Sequence, residues 1–176
     1  MYLKRLLFTL TITLSASMLF ATEKHTAEII GTWQGSGVVF LTHVDKAKFF
    51  GEINATLTVQ SEDNSTINHL PIVCMTTQKL DLNDSNITAS GDCLIGVEKD
   101  VIFAAFTCSG PQSDCVGTFT LGGGTGRFNK ITGGSEFRSR TQDGTLTIEK
   151  GRVLANKKIK GVLIFTDLHY EIPDNK

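Results

Sequence analysis

Polar and apolar side chains alternate along much of this chain, and a two-residue alternation points to strands. In Thr56-Leu57-Thr58-Val59, Thr118-Phe119-Thr120-Leu121 and Thr145-Leu146-Thr147-Ile148 the threonines fall on one side and the apolar residues on the other. Successive side chains of a strand point to opposite faces, so each segment offers one face to a core and one to water. No long segment carries the 3.6-residue period of an amphipathic helix. The pattern predicts strands near residues 27–42, 51–60, 70–81, 86–97, 100–108, 115–121, 134–141, 144–155 and 158–167. Short strands with a turn signal about every ten residues build a sandwich or a barrel. A barrel also removes the exposed edges that a free sheet must protect. The expected fold is all-β: a single antiparallel eight-stranded β-barrel, or a nine-stranded one.

The turns support this reading. Asp143-Gly144 between two alternating runs is a hairpin signal, because a type I′ turn needs positive φ at both central residues. Glu98-Lys99-Asp100 and Asn156-Lys157 mark further turns, and Gly35-Ser36-Gly37 reads as a turn at a strand start. Val101-Ile102-Phe103-Ala104-Ala105-Phe106 is apolar in both phases, as for a strand covered on both sides. Phe103, Phe119 and Phe137 are expected in the barrel interior.

The first segment reads as an address. Lys4 and Arg5 are followed by an uncharged apolar stretch to Phe20, and Ala21 precedes Thr22-Glu23-Lys24. A basic start, an apolar run and a small residue at the cut form a signal peptide, here 1–21. The run is shorter than the roughly 20 residues that span a bilayer. Residues 22–172 are then the barrel domain, and 173–176 a frayed tail. Cleavage removes Lys4 and Arg5, which lowers the formal charge from −1 by two, to −3. That balance gives no basic footprint for nucleic acid and no attraction to anionic membranes. The expected location is exported, periplasmic or secreted, with no membrane insertion after cleavage.

Four cysteines, an even number, in an exported chain read as disulfides. Three connectivities are open. Ser109-Gly110-Pro111-Gln112-Ser113-Asp114 consists of turn formers, which favours Cys108–Cys115 and with it Cys74–Cys93. A zinc site needs Cys or His at ligand spacing, and neither a C-x₂-C pair nor a paired His occurs. No metal and no cofactor is expected.

Other motifs fail on inspection. Gly122-Gly123-Gly124-Thr125-Gly126-Arg127 lacks the Lys-Ser/Thr of a phosphate loop and is followed by no predicted helix. It reads as a glycine-dense turn. No nucleophile elbow is present, and His25, His43, His69 and His169 are scattered, with His25 expected to be disordered beside the cut. Trp33 is expected to plug a barrel end, or else to stack on a ligand. Glu136, Arg138 and Arg140 alternate with Phe137 and Ser139 as a solvated face. Glycosylation sequons stand at Asn54, Asn64, Asn83 and Asn86.

The stretch Gly123-Gly124-Thr125-Gly126-Arg127-Phe128-Asn129-Lys130-Ile131-Thr132-Gly133 resembles the GGTGxFxGxxG signature of the allene oxide cyclase and dirigent-like barrels. Its signature positions are Gly123, Gly124, Thr125, Gly126, Phe128 and Gly133. Residues 87–95, with Gly91-Asp92-Cys93, resemble the cyclase segment before it, so the likeness covers about residues 86–140. Exported bacterial proteins with a start like Trp33-Gln34-Gly35-Ser36-Gly37 share the pattern, and the chain stands nearer to them. The resemblance implies an eight-stranded barrel with a partly apolar lumen. In the plant cyclases an unsaturated fatty-acid epoxide closes to a ring inside that lumen. Glu52-Ile53-Asn54 repeats a cyclase tripeptide, so the resemblance implies Glu52, Asn54 and Cys93 as catalytic candidates. The Ser-Pro pair that follows in the family is missing here, and Cys93 cannot be both a staple and a pocket thiol.

Without a catalytic constellation of its own, the chain is expected to be a small exported barrel that binds an apolar small molecule or a protein partner. The alternatives are an isomerase or cyclase acting on an oxygenated fatty acid, and a structural or host-facing interaction protein. The two-sided strand at 101–106 is a candidate surface for an oligomer.

Overall fold

The computed structural model describes residues 22–60, 66–143, 154–155 and 159–173. The leader, Asn64, Thr145 to Ile148 and the Asn156-Lys157 turn lie outside the described residues. The strands are β1 (Thr22–His43), β2 (Lys46–Val59), β3 (Pro71–Asp81), β4 (Asn86–Val97), β5 (Asp100–Pro111), β6 (Asp114–Gly124), β7 (Thr132–Asp143), β8 (Leu154–Ala155) and β9 (Ile159–Pro173). One 3₁₀ turn, Gly126–Phe128, stands between β6 and β7.

Each strand from β1 to β7 pairs antiparallel with the next, β7 pairs with β9, and β9 returns to β1. Eight long strands therefore close an all-β barrel. The two residues of β8 pair with Val38 and Val39, on the edge of β1 whose earlier residues, to Gly35, pair with β9. The strand count is thus eight around the wall, with β8 extending one edge.

Because the chain runs up and down, the barrel has two distinct ends. The upper end carries the turns after His43, Asp81 and Pro111. The lower end carries both termini of the barrel, residues 66–70, the turn at Glu98-Lys99 and the segment 125–131. Interior positions alternate along every strand, as in β4, where Ile87, Ala89, Cys93 and Ile95 are buried. In β9 the phase changes. Ile29 opposes Phe165 but Ala27 opposes Leu168, so Glu28 of β1 faces two residues of β9. This bulge turns both Phe165 and Leu168 inward.

The lower half is packed solid. Phe128 and Ile131 from the β6–β7 connection and Ile67 and Leu70 from the β2–β3 connection are buried, beside Leu168 and Tyr170. Above them Phe119, Phe137 and Phe165 form an aromatic cluster, with ring centroids 5.1 to 6.3 Å apart and the Phe119 contacts edge-on.

Several expectations need correction. Gly35-Ser36-Gly37 lies in the middle of β1, because ladder pairing continues on both sides of it. β2 begins at Lys46, ahead of residue 51, and β9 runs to Pro173, which pairs with Thr22, so position 173 is strand. His25 is ordered within β1 and stacks on Tyr170 at 4.7 Å. Phe103 points outward and is 45% exposed, because the inward phase of β5 is Ile102, Ala104 and Cys108. The outer face of residues 101–106 is therefore open, not covered. A helical turn does follow the glycine-dense segment, but it is only three residues long.

Candidate functional site: an apolar cavity in the upper lumen

Above the aromatic cluster the interior is not filled. A cavity of about 80 Å³ lies between Phe119 and Phe137 below and Gln78, Gln112, Ser139 and Thr141 toward the upper end. Its walls include Trp33, Phe49, Ile53, Phe106 and Leu163. Among the described residues, no Lys, Arg, His, Asp or Glu lines it. Drug-sized pockets measure roughly 300–1,000 Å³. This one admits a very small molecule or one end of a longer one.

The space exists because the large aromatic rings lie flat against the wall. Trp33 is flanked in register by Ala55 on one side and Gly161 on the other. A Cβ at Gly161 would stand 2.5 Å from indole Cε2 and Cζ2, so the ring occupies the place of the missing side chain. A Cβ at Gly51 would stand within 2.7 Å of the Phe49 ring, and one at Gly91 within 2.7 Å of the Phe106 ring. Each aromatic covers a glycine on a neighbouring strand or in its own, which leaves the barrel axis free.

Two disulfides join the walls around this space, Cys74–Cys93 and Cys108–Cys115, and no described cysteine is free. The first links residues directly opposite on β3 and β4, with Cα atoms 4.0 Å apart. The second closes the β5–β6 hairpin, with Cα atoms 5.6 Å apart. All four sulfurs belong to buried, inward-facing residues.

The polar groups are few. Thr141 Oγ1 donates to the Gln112 carbonyl at 3.1 Å, which ties the end of β7 to the β5–β6 turn. Thr76 is buried and donates to the Ser90 carbonyl. Trp33 is 8% exposed and its indole N–H has no hydrogen-bond partner.

The residues that the resemblance implied do not share one pocket. The inward phase of β2 is odd, with Phe49 and Leu57 buried, so Glu52 and Asn54 lie on the outer wall. There Asn54 Nδ2 donates to Glu52 Oε1, and Glu52 opposes the exposed Met75. Cys93 faces the lumen, but its sulfur is bonded to Cys74. The signature turn has a structural place. Thr125 Oγ1 donates to the Lys99 carbonyl at 2.7 Å and accepts from the Val101 N–H, and Arg127 N–H donates to Asp100. Gly126 has φ +57, and a Cβ there would run into the Asp100 carboxylate. Gly123 has φ +123 and Gly133 φ +148. Together these hold Phe128 as the plug of the lower end. Trp33, expected as a plug, is instead part of the cavity wall.

No described group of three or more His, Cys, Asp or Glu residues could hold a metal ion. Arg138 and Arg140 lie on the outer face, 3.2 and 3.8 Å from Asp114, as the solvated face predicted. Of the sequons, Asn54, Asn83 and Asn86 are exposed. The carboxyls of Asp45 and Asp84 are held below the usual range, Asp45 by a hydrogen bond with His43 and Asp84 by the Asn86 backbone N–H, but both sit in upper-end turns outside the cavity. Sequence reasoning missed Gln78, Gln112, Ser139 and Thr141. The signal available was Gln78, a long amide in the inward phase of Ile72, Cys74, Thr76 and Leu80.

Comparison with protein-family models, with curated proteins and with solved structures finds no match for this chain.

Proposed function

We propose that this protein is an exported β-barrel without catalysis whose upper lumen binds a small apolar molecule. The cavity carries this reading: an unfilled, aromatic-lined space with no charged group among its described lining residues, above a packed floor, in a fold that usually fills a small interior with side chains. The two disulfides are consistent with an oxidising, exported compartment, and the leader at 1–21 supplies the route. The resemblance of residues 123–133 to allene oxide cyclase and dirigent-like barrels supports the same use of the lumen. Native mass spectrometry of the purified protein, followed by thermal melting with a panel of short-chain and lipid-like molecules, tests the reading. A bound molecule raises the melting temperature, by an amount that grows with the logarithm of its concentration over its dissociation constant. If nothing copurifies and nothing shifts the melt, the lumen is a void and the proposal fails.

A second reading rests on the outer wall. Val73, Leu94 and Phe103 sit side by side in register across β3, β4 and β5, with Met75 beside them, all exposed. That apolar patch favours a protein partner or self-association. Sedimentation at several concentrations tests it, with Phe103→Lys expected to abolish any oligomer. The cyclase reading needs Glu52 and a thiol at Cys93 in one pocket. On the placement described above, no turnover of an epoxy fatty acid is expected, and turnover lost in Glu52→Gln would restore it.

A further inference from the structure

Val73 of β3, Leu94 of β4 and Phe103 of β5 form one cross-strand row on the outer wall, all three exposed, with Leu94 in the middle. Two residues along each strand the same face returns. The row above, toward the upper end, is therefore Met75, Asp92 and Ala105, and the row below is Pro71, Gly96 and Val101. The exposed parts of Val73, Met75, Leu94 and Phe103 amount to roughly 400 Å², and an interface about 57% apolar built on them covers roughly 700 Å² per copy. Stable protein pairs bury about 600–1,000 Å² a side, so the face is large enough to hold a pair together.

We infer that two copies of this chain meet here, about a two-fold axis that runs along the Val73-Leu94-Phe103 row. This rests on the outer-wall reading and commits it to a second copy. A two-fold lays a patch on its own twin, so the patch must match itself. An axis along the row sets Leu94 on Leu94 of the second copy and turns the row above onto the row below. Met75 then meets Pro71, Ala105 meets Val101, and Asp92 meets Gly96, which carries no charge. Each apolar side chain of the three rows finds an apolar one. An axis along β4 would instead stack Asp92 on Asp92, and like charges facing each other in an interface are costly. Shape agrees with the row axis. Above the row lies an open groove bordered by Phe50, Met75, Ser90, Asp92 and Ala105. Below it the exposed Val97 stands at the β4–β5 turn. The rotation carries Val97 of each copy toward the groove of the other.

Sedimentation velocity of the oxidised protein, from micromolar to millimolar concentration, is expected to show a monomer–dimer equilibrium. Leu94→Asp and Leu94→Lys are each expected to raise the dissociation constant about 100-fold, because each sets like charges face to face at the axis. Mixed in equal amounts, the two variants are expected to pair to within about tenfold of the wild-type affinity, because a residue that faces itself then meets its opposite charge. Thr88→Lys, exposed on β4 beyond the patch, leaves the dimer unchanged. If the two Leu94 variants stay monomeric when mixed, the axis on this row is overturned. A wild-type protein monomeric throughout overturns the second copy and leaves the patch to a different protein, the other branch of the outer-wall reading. A dimer that neither charge disturbs overturns both. A trimer also overturns the inference, since the contacts of a ring are heterologous and Leu94 would not face itself. Phe103→Asp with Phe103→Lys repeats the mixing test on the same row if a Leu94 variant does not fold.

Discussion

At the lower end of the barrel Phe128, Ile131 and Ile67 are at most 1% exposed and fill the interior, and no disulfide crosses it. At the upper end the interior is open, and both disulfides stand in its walls. The two halves share the same strands and the same ladder. They differ in what replaces the missing term. Packed side chains gain dispersion contacts and lose water-exposed area. A wall around a void forfeits part of both, and covalent links that restrict the unfolded chain make up the difference. An unfilled space and a stable barrel coexist here because they occupy different ends.

The sharpest way to break this comparison is Phe128→Ala. Removal of a fully buried ring at a packed site costs about 3–5 kcal/mol, which is expected as a large drop in the midpoint of urea denaturation. A cost below 1 kcal/mol would mean that the lower end is no more solidly packed than the upper. Next comes loss of the staples. Cys74→Ala with Cys93→Ala is expected to cost about 3 kcal/mol, and Cys108→Ala with Cys115→Ala about 2.5 kcal/mol, on the loop-entropy account. Hydrogen exchange should show Gln78 and Gln112 losing protection before Ile131 and Phe128. Uniform loss along the barrel would dissolve the distinction between the ends.

Gly161→Ala probes the cavity wall directly. The new methyl meets the indole of Trp33 and the Arg140 carbonyl oxygen. The expected cost is about 1–3 kcal/mol, typical of overpacking, together with weaker binding of any lumen ligand by calorimetry. The smallest effect lies in the upper-end turns. The carboxyls of Asp45 and Asp84 are lowered in the folded state, so their contribution is complete above the unfolded value near 3.9 and is lost as pH falls through the folded values. Asp84 is exposed and Asp45 half-buried at the surface, so the melting temperature should change only slightly. Carbon-13 titration is expected to give both carboxyls midpoints below 3.8, and midpoints at or above it would refute the hydrogen-bond account.

The strand architecture was legible because it rests on local chemistry. Thr118 to Leu121 alternates, and Cys108 and Cys115 flank a run of turn formers, so neighbours along the chain decide both the strand and the hairpin staple. Residues 101–106 were misjudged for the converse reason. An apolar run in both phases does not say which phase faces inward, and Phe103 went outward with Ala105. Glu52 and Asn54 failed similarly, since a tripeptide match carries no information about strand phase. A partly apolar lumen was implied by the resemblance, but where the interior stays unfilled was not legible. It depends on Trp33 of β1 meeting Gly161 of β9, and no local pattern links those two positions. The signature at 123–133 was legible as a motif, but its use as the lower plug appears only when Phe128 is seen in the interior.

The glycines beneath the aromatic rings have an evolutionary consequence. At Gly37, Gly51, Gly91 and Gly161 a new side chain would strike a backbone carbonyl, so those positions are closed to change. Gly35 differs. A methyl there would meet Trp33, the Glu52 carbonyl and Ile53 at 3.5 to 3.7 Å, which is ordinary contact. Among these wall glycines, position 35 is therefore the one through which descent with modification could narrow the lumen while the ladder stays intact. Variation there between lineages would track the width of the lumen in each.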